Sequence, residues 1–278
     1  MTGGHGDSRL MHESEHTQGY CSCGPSNSFS TVADGVDECV KAVREQLRRG
    51  AHCIKIMASG GVASPTDPIW MNQYREDEIR AVVNETSERR TYTSAHCHPA
   101  NSVKRCVEFG VRVIEHGTLM DDETAQFVAE RGAYVVPTLS IIHALAEQGR
   151  HFGLSSVSQA KVITIAQKAT EGIESMRNAD VAVGFGTDLL GETYVQQCRE
   201  FSLRKEVFTP IEILRQVTST NAAILQQEDK LGCIKPGAFA DLLVVDGDPL
   251  KNVDLLAANG RNLRLIMRAG ELIRNELT

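Results

Sequence analysis

A chain of 278 residues with 41% hydrophobic content can hold one large α/β domain, or a domain with an appendage, around a sizeable core. Its formal net charge of −7, without clusters of Lys and Arg, argues against nucleic acid or an anionic membrane as main partner and favours a small-molecule substrate. No apolar run approaches the roughly 20 residues of a membrane span, and Met1 to His5 lack the segments of a signal peptide, so a cytoplasmic location is expected.

Residues 1 to 33 are rich in Gly, Ser, His and Asp without helical or strand period, which predicts a long surface loop. Within it, Thr2-Gly-Gly-His5-Gly-Asp7 has glycines that would let backbone approach a ligand, or that form a simple turn. His12 and His16 have nothing helical around them and read as solvated. Cys21-Ser-Cys23 lacks the second pair of a zinc site, and the eight cysteines are expected to be reduced.

Asp34 to Arg49 predicts a helix with Val36, Cys39, Val40, Val43 and Leu47 on one face and Gly50 as its stop. The apolar run Cys53-Ile-Lys55-Ile-Met-Ala predicts a short strand, covered on both faces if the sheet is parallel. Lys55 in its middle is then a costly buried ammonium unless paired or chemically changed, or else it snorkels out at the strand end. Ser59-Gly-Gly61-Val follows as a flexible loop without the ending of a phosphate loop. Arg75 to Arg89 predicts the next helix, with Ile79, Val82 and Val83 inward.

Thr91 to Thr118 is the stretch around which the chain is organised. A β-prone run ends in His96-Cys-His98, an amphipathic run (Val103, Cys106, Val107) closes at Gly110, and a second β-branched run ends in His116. In such a βαβ unit both strands are parallel, so His96 and His116 leave neighbouring carboxyl ends and can point into one crevice. Two converging imidazoles suggest a metal, with a pair of hydrogen-bonded loop histidines as the alternative.

Asp121 to Arg131 predicts another helix, and Ala133 to Thr138 a strand with proline near its end. The long amphipathic segment Ser155 to Asn178 precedes Val181-Ala-Val-Gly-Phe-Gly186-Thr-Asp188, a strand that delivers a carboxylate at its tip, unless Asp188 simply caps a helix. Thr209-Pro210 opens a helix through Leu225. Beyond it, Leu231 to Pro249 and Asn262 to Ile273 have strand period with tight turns, a small β appendage.

The order strand–Lys55, strand–His96, strand–His116, strand, strand–Asp188 resembles the amidohydrolase superfamily, metal-dependent hydrolases on a (β/α)8 TIM-type barrel with an added small β-sandwich. Ile54-Lys55-Ile-Met-Ala-Ser-Gly-Gly looks like that family's fourth strand, Ala95-His96-Cys-His98 its fifth, Ile114-Glu-His116-Gly-Thr its sixth, and Gly186-Thr-Asp188 its eighth. Gly237-Ala-Phe-Ala-Asp241-Leu-Leu-Val-Val-Asp246 is similar to its returning sandwich segment. Thr2 to Asp7 and His96-Cys-His98-Pro look most like the imidazolonepropionase-related hydrolases and Xaa-Pro or Xaa-Arg/Lys dipeptidases.

The resemblance implies a barrel over 1–228, a sandwich part over 229–278, and hydrolysis of C–N bonds in a dipeptide, N-acyl amino acid or cyclic amide. It implies two divalent ions, typically zinc, in the complete enzyme. Lys55 would carry a bridging carbamate, His96 and His116 would bind one ion, and Asp188 would be both metal ligand and proton carrier. His98 and His5 would touch substrate. The family's opening His-x-His is absent ahead of Lys55, so the chain reads as the carboxyl-terminal two-thirds of such an enzyme, an incomplete barrel without its first strands. The alternatives are an inactive barrel remnant that persists through association with another chain and, more remotely, a barrel lyase. A homo-oligomer is compatible with all of these.

Overall fold

The structure is a computed structural model that describes residues 30–64 and 67–277. The expectations for His5, His12, His16, Cys21 and Cys23 lie outside the described residues. The chain divides into two compact units, the first formed by residues up to Val136 with Leu145–Val181, the second by Pro137–Ala144 with Ala182–Thr278.

The first unit alternates helices and strands. Helix α1 (Val36–Arg48) buries Cys39 and Val43 of its expected apolar face, and Ala42 beside them. Strand β1 (Ile54–Met57) leads to α2 (Glu76–Glu88), which buries Ile79 and Val82. The buried Glu78 ties the two helices together, its carboxylate accepting from the backbone N–H groups of Gly35 and Arg75, both at 2.6 Å. Then come β2 (Thr93–Pro99), α3 (Ala100–Glu108), β3 (Val113–Leu119), α4 (Asp122–Glu130) and β4 (Tyr134–Val136).

The strands pair in parallel and in chain order, β1 with β2, β2 with β3 and β3 with β4. Because side chains alternate along a strand, the register sorts them into two faces. Ile54 and Ile56 lie level with Thr93 and Ala95, Ala95 with Ile114, and Ile114 with Val135. This face is wholly buried, as are Val103 and Cys106 of α3 and Ala125 and Val128 of α4. The other face carries Lys55, Ser94, His96 and Glu115.

Helix α5 (Leu139–Gln148) begins after β4, and α6 (Ser156–Asn178) completes the first unit, packing on β3. Their contact is intimate: a Cβ placed on Gly172 of α6 would stand 2.5 Å from the carbonyl oxygen of Thr118. Helix α6 therefore needs glycine there despite the cost of glycine in a helix.

In the second unit β5 (Ala182–Val183) is shorter than the run Val181–Asp188 suggested: pairing ends at Val183 and an irregular segment leads to a 3-10 turn at Gly191–Gln196. Helix α7 (Arg199–Arg204) follows, and α8 (Pro210–Arg215) opens at the expected Thr209 cap, continuing through a π turn (Gln216–Thr220) into α9 (Asn221–Ile224). Strands β6 (Leu242–Val245), β7 (Leu263–Arg268) and β8 (Glu271–Asn275) form an antiparallel sheet, with α10 (Asp254–Ala257) between the first two. Of the stretch Leu231–Pro249, expected to have strand period with tight turns, only Leu242–Val245 pairs, and the rest is bends, turns and irregular chain.

The architecture is α/β with a parallel sheet. Among the described residues the parallel strands do not close into a barrel, and the three antiparallel strands make one layer rather than a sandwich.

Candidate metal centre

Strand β2 carries His96 and His98 two residues apart, so simple alternation sends both to one face. His116 needs a further device. It is level with Cys97, whose thiol lies 3.4 Å from that of Cys106 on α3, so an undistorted pleat would point His116 towards the helix layer. Instead His116 has φ 74 and Gly117 φ 60, both left-handed, which turns the His116 ring across to the other two. The ring centroids are 4.6 Å apart for His96 and His116, and 4.8 Å for each of the other two pairs.

One nitrogen from each ring can be chosen so that all three lie within 4.8 Å of one another, and all three residues are buried. Neighbours orient them. The Nε2 of His96 is 3.3 Å from the Gly60 carbonyl oxygen, and the Nδ1 of His98 is 2.6 Å from Thr118 Oγ1. The backbone N–H of His98 donates to Ser59 Oγ at 3.2 Å.

Burial is the main cause that holds all three imidazoles neutral. It pulls the pKa of His96 down to about 4, with the Lys55 charge adding to the effect against a small upward pull from Gly60. His98 and His116 are driven well below the usual imidazole range, by burial first and then by the neighbouring histidines and Lys55. Neutral imidazole is the form that donates a lone pair to a cation. A buried trio of this form fits a divalent metal of intermediate softness, such as zinc.

Lys55 lies on β1, level with Ser94, and so on the same face as His96. Its side chain is exposed, the second of the two arrangements its place in the run allowed, and among the described residues β1 has a strand on one side only. Its charge still reaches the imidazoles, contributing to the depressed pKa of each. Asp188 belongs to the second unit, in the loop after β5, with an exposed side chain and a left-handed φ of 53.

His98 is therefore brought into the cluster with His96 and His116, a closer association than a substrate contact required. Ser59, Gly60 and Thr118 were missed as site residues. The glycine pair after the Lys55 strand and the Gly-Thr step after His116 were their sequence signals, the first a sign of close backbone approach, the second a hydroxyl beside a predicted ligand.

A model of the amidohydrolase family matches residues 1–273. Ochratoxinase of Aspergillus niger is 30% identical over 262 residues, covering 91% of this chain and 54% of its own length. A crystal structure of an amidohydrolase superposes with a TM-score of 0.92 at 50% identity, over 99% of this chain and 67% of that one. A prolidase crystallised with N-methylphosphonate-L-proline gives a TM-score of 0.90 at 43% identity, over 98% of this chain and 66% of that one. The chain thus spans about half the length of the curated relative and about two-thirds of these solved structures.

Proposed function

Because this chain belongs to the amidohydrolase family, we propose that it carries part of the catalytic barrel of a zinc-dependent hydrolase that cleaves a C–N bond in a dipeptide. The observation that carries the reading is the buried, neutral cluster of His96, His98 and His116 at the carboxyl ends of adjacent parallel strands. In barrels of this kind those ends are where active sites lie. The similarity to a prolidase at 43% identity supports an Xaa-Pro substrate as the first choice. In this reading residues 1–228 belong to the barrel and 229–278 to a β-sandwich, and the enzyme works in the cytoplasm.

A divalent ion held there would lower the pKa of a water molecule and polarise the scissile carbonyl. His96 and His116 would hold it, with His98 close enough to serve as a third imidazole or to face the substrate. Lys55, on the face of His96, would take up carbon dioxide on its neutral amine, lose a proton and become an anionic carbamate ligand. Asp188 would both coordinate and act as the proton carrier, accepting from the attacking water and donating to the leaving nitrogen.

The test combines metal analysis with hydrolysis of a panel of Xaa-Pro, Xaa-Arg and Xaa-Lys dipeptides and N-acyl amino acids. His96→Ala and His116→Ala should each lower bound zinc, while Asp188→Asn should lower turnover more than zinc content. Unchanged zinc stoichiometry in both histidine variants would refute the site.

A further inference from the structure

The loop between β1 and α2 supplies two groups that orient the histidine cluster, the Gly60 carbonyl on His96 and the Ser59 hydroxyl on the His98 amide. Its path is tightly folded. A Cβ on Gly60 would stand 1.9 Å from the carbonyl oxygen of Pro68, so only glycine permits the chain to double back there. The buried Asp67 carboxylate accepts from the Gly61 N–H at 3.1 Å and from Gln73 Nε2 at 3.3 Å.

Lys161, on α6, closes the arrangement. Its ammonium donates to three carbonyl oxygens of this one loop, those of Gly61 at 3.1 Å, Ser64 at 2.7 Å and Asp67. An ammonium has three donors, and all three are spent on the loop. The Lys161 side chain is half-buried, so losing it would leave carbonyls short of partners in a poorly hydrated place.

A neutral imidazole carries one N–H. If the Gly60 oxygen accepts from Nε2–H of His96, the lone pair of that ring sits on Nδ1, and the position of the loop decides which nitrogen can bind a cation. We propose that Lys161, assisted by Asp67, is a positioning residue for the metal centre: it clamps the β1–α2 loop so that the Gly60 carbonyl holds His96 as the Nε2–H tautomer with Nδ1 free to ligate. The consequence for metal rests on His96 being a ligand, as proposed above; the consequence for the tautomer does not.

Two readouts separate these. In the metal-free 278-residue chain labelled with 15N-histidine, long-range 1H–15N correlation should show His96 as a single Nε2–H tautomer. Lys161→Met should give mixed tautomers, and Lys161→Arg, which keeps a multi-donor cation, should restore most of the single form. Zinc affinity, measured by competition with a chromophoric chelator, should fall roughly 10- to 100-fold in Lys161→Met, as losses of ligand-orienting groups do, and much less in Lys161→Arg. Lys161→Gln serves if circular dichroism shows that Lys161→Met does not fold.

Wild-type tautomer and wild-type zinc affinity in a folded Lys161→Met or Lys161→Gln variant would overturn the clamp while leaving the metal site standing. A wild-type chain that binds no zinc, yet loses its Nε2–H tautomer on Lys161→Met, would overturn the metal reading and uphold the clamp.

Discussion

His116 shows how a single backbone angle can assemble a site. A histidine at φ 74 stands in a region that costs an L-residue roughly 1–2 kcal/mol. The surrounding strand imposes it, and the outcome is three buried imidazoles on one face. Their burial makes a prediction for the metal-free chain. A buried histidine whose pKa falls on folding binds fewer protons folded than unfolded, so added protons favour the unfolded state. For His96 the shift runs from 6.5 to about 4, so its contribution is complete above the unfolded value and is lost as pH falls through that window. By the linkage relation the loss from His96 alone should be about 2 kcal/mol between pH 7.5 and 5 and about 3 kcal/mol once pH is below its folded value, and the other two act in the same direction. Urea unfolding of the metal-free chain at pH 7.5, 6 and 5 measures it, with His96→Gln expected to flatten the slope. A wild-type slope no steeper than that of His96→Gln would contradict neutral burial.

Between elements, Gly172 sets two effects against each other. Helix propensity alone says that Gly172→Ala should stabilise α6 by about 1 kcal/mol. The close approach to the Thr118 carbonyl, 2.5 Å from the added Cβ, says the reverse, and backbone cannot yield as a side chain tip can. Overpacking of this kind costs roughly 1–3 kcal/mol, enough to win. Gly172→Ala is therefore expected to lower the thermal midpoint, whereas Glu171→Ala on the exposed face of the same helix should leave it nearly unchanged. A stabilised Gly172→Ala protein would show that α6 can slide off β3 at little cost. Because Thr118 also orients His98, the variant should weaken zinc binding as well.

At the scale of the whole molecule, a buried ion pair in the second unit gathers segments far apart in the chain. Arg204 and Glu200 are both fully buried and meet at 2.8 Å. The guanidinium also donates to the carbonyls of Gly184 at 2.7 Å and Pro137 at 2.5 Å and to Gln216 Oε1 at 2.7 Å, while Glu200 accepts from the Ser140 N–H at 2.7 Å. Removing one partner strands the other charge in the interior, so Arg204→Met should cost about 3–5 kcal/mol. Adding Glu200→Gln should recover part of that loss, and chemical denaturation of both variants checks the pair. No motif in the sequence marks either residue, because a Glu and an Arg four apart on a helix look the same whether they are buried or exposed. The sequence by itself determined the alternation of helices and strands from Asp34 to Thr138 and the long helix Ser155 to Asn178, because apolar period and glycine stops act locally, though not α5 between them, and it marked Lys55, His96, His116 and Asp188 because polar residues inside or at the ends of apolar strand runs stand out. Only the tertiary structure decided that His98 joins the imidazole cluster, that the Lys55 side chain stands exposed, and that Lys161 reaches a loop about a hundred residues earlier in the chain. Each of these depends on which segments become neighbours, and pairwise contacts between distant segments leave no local period in the chain that makes them.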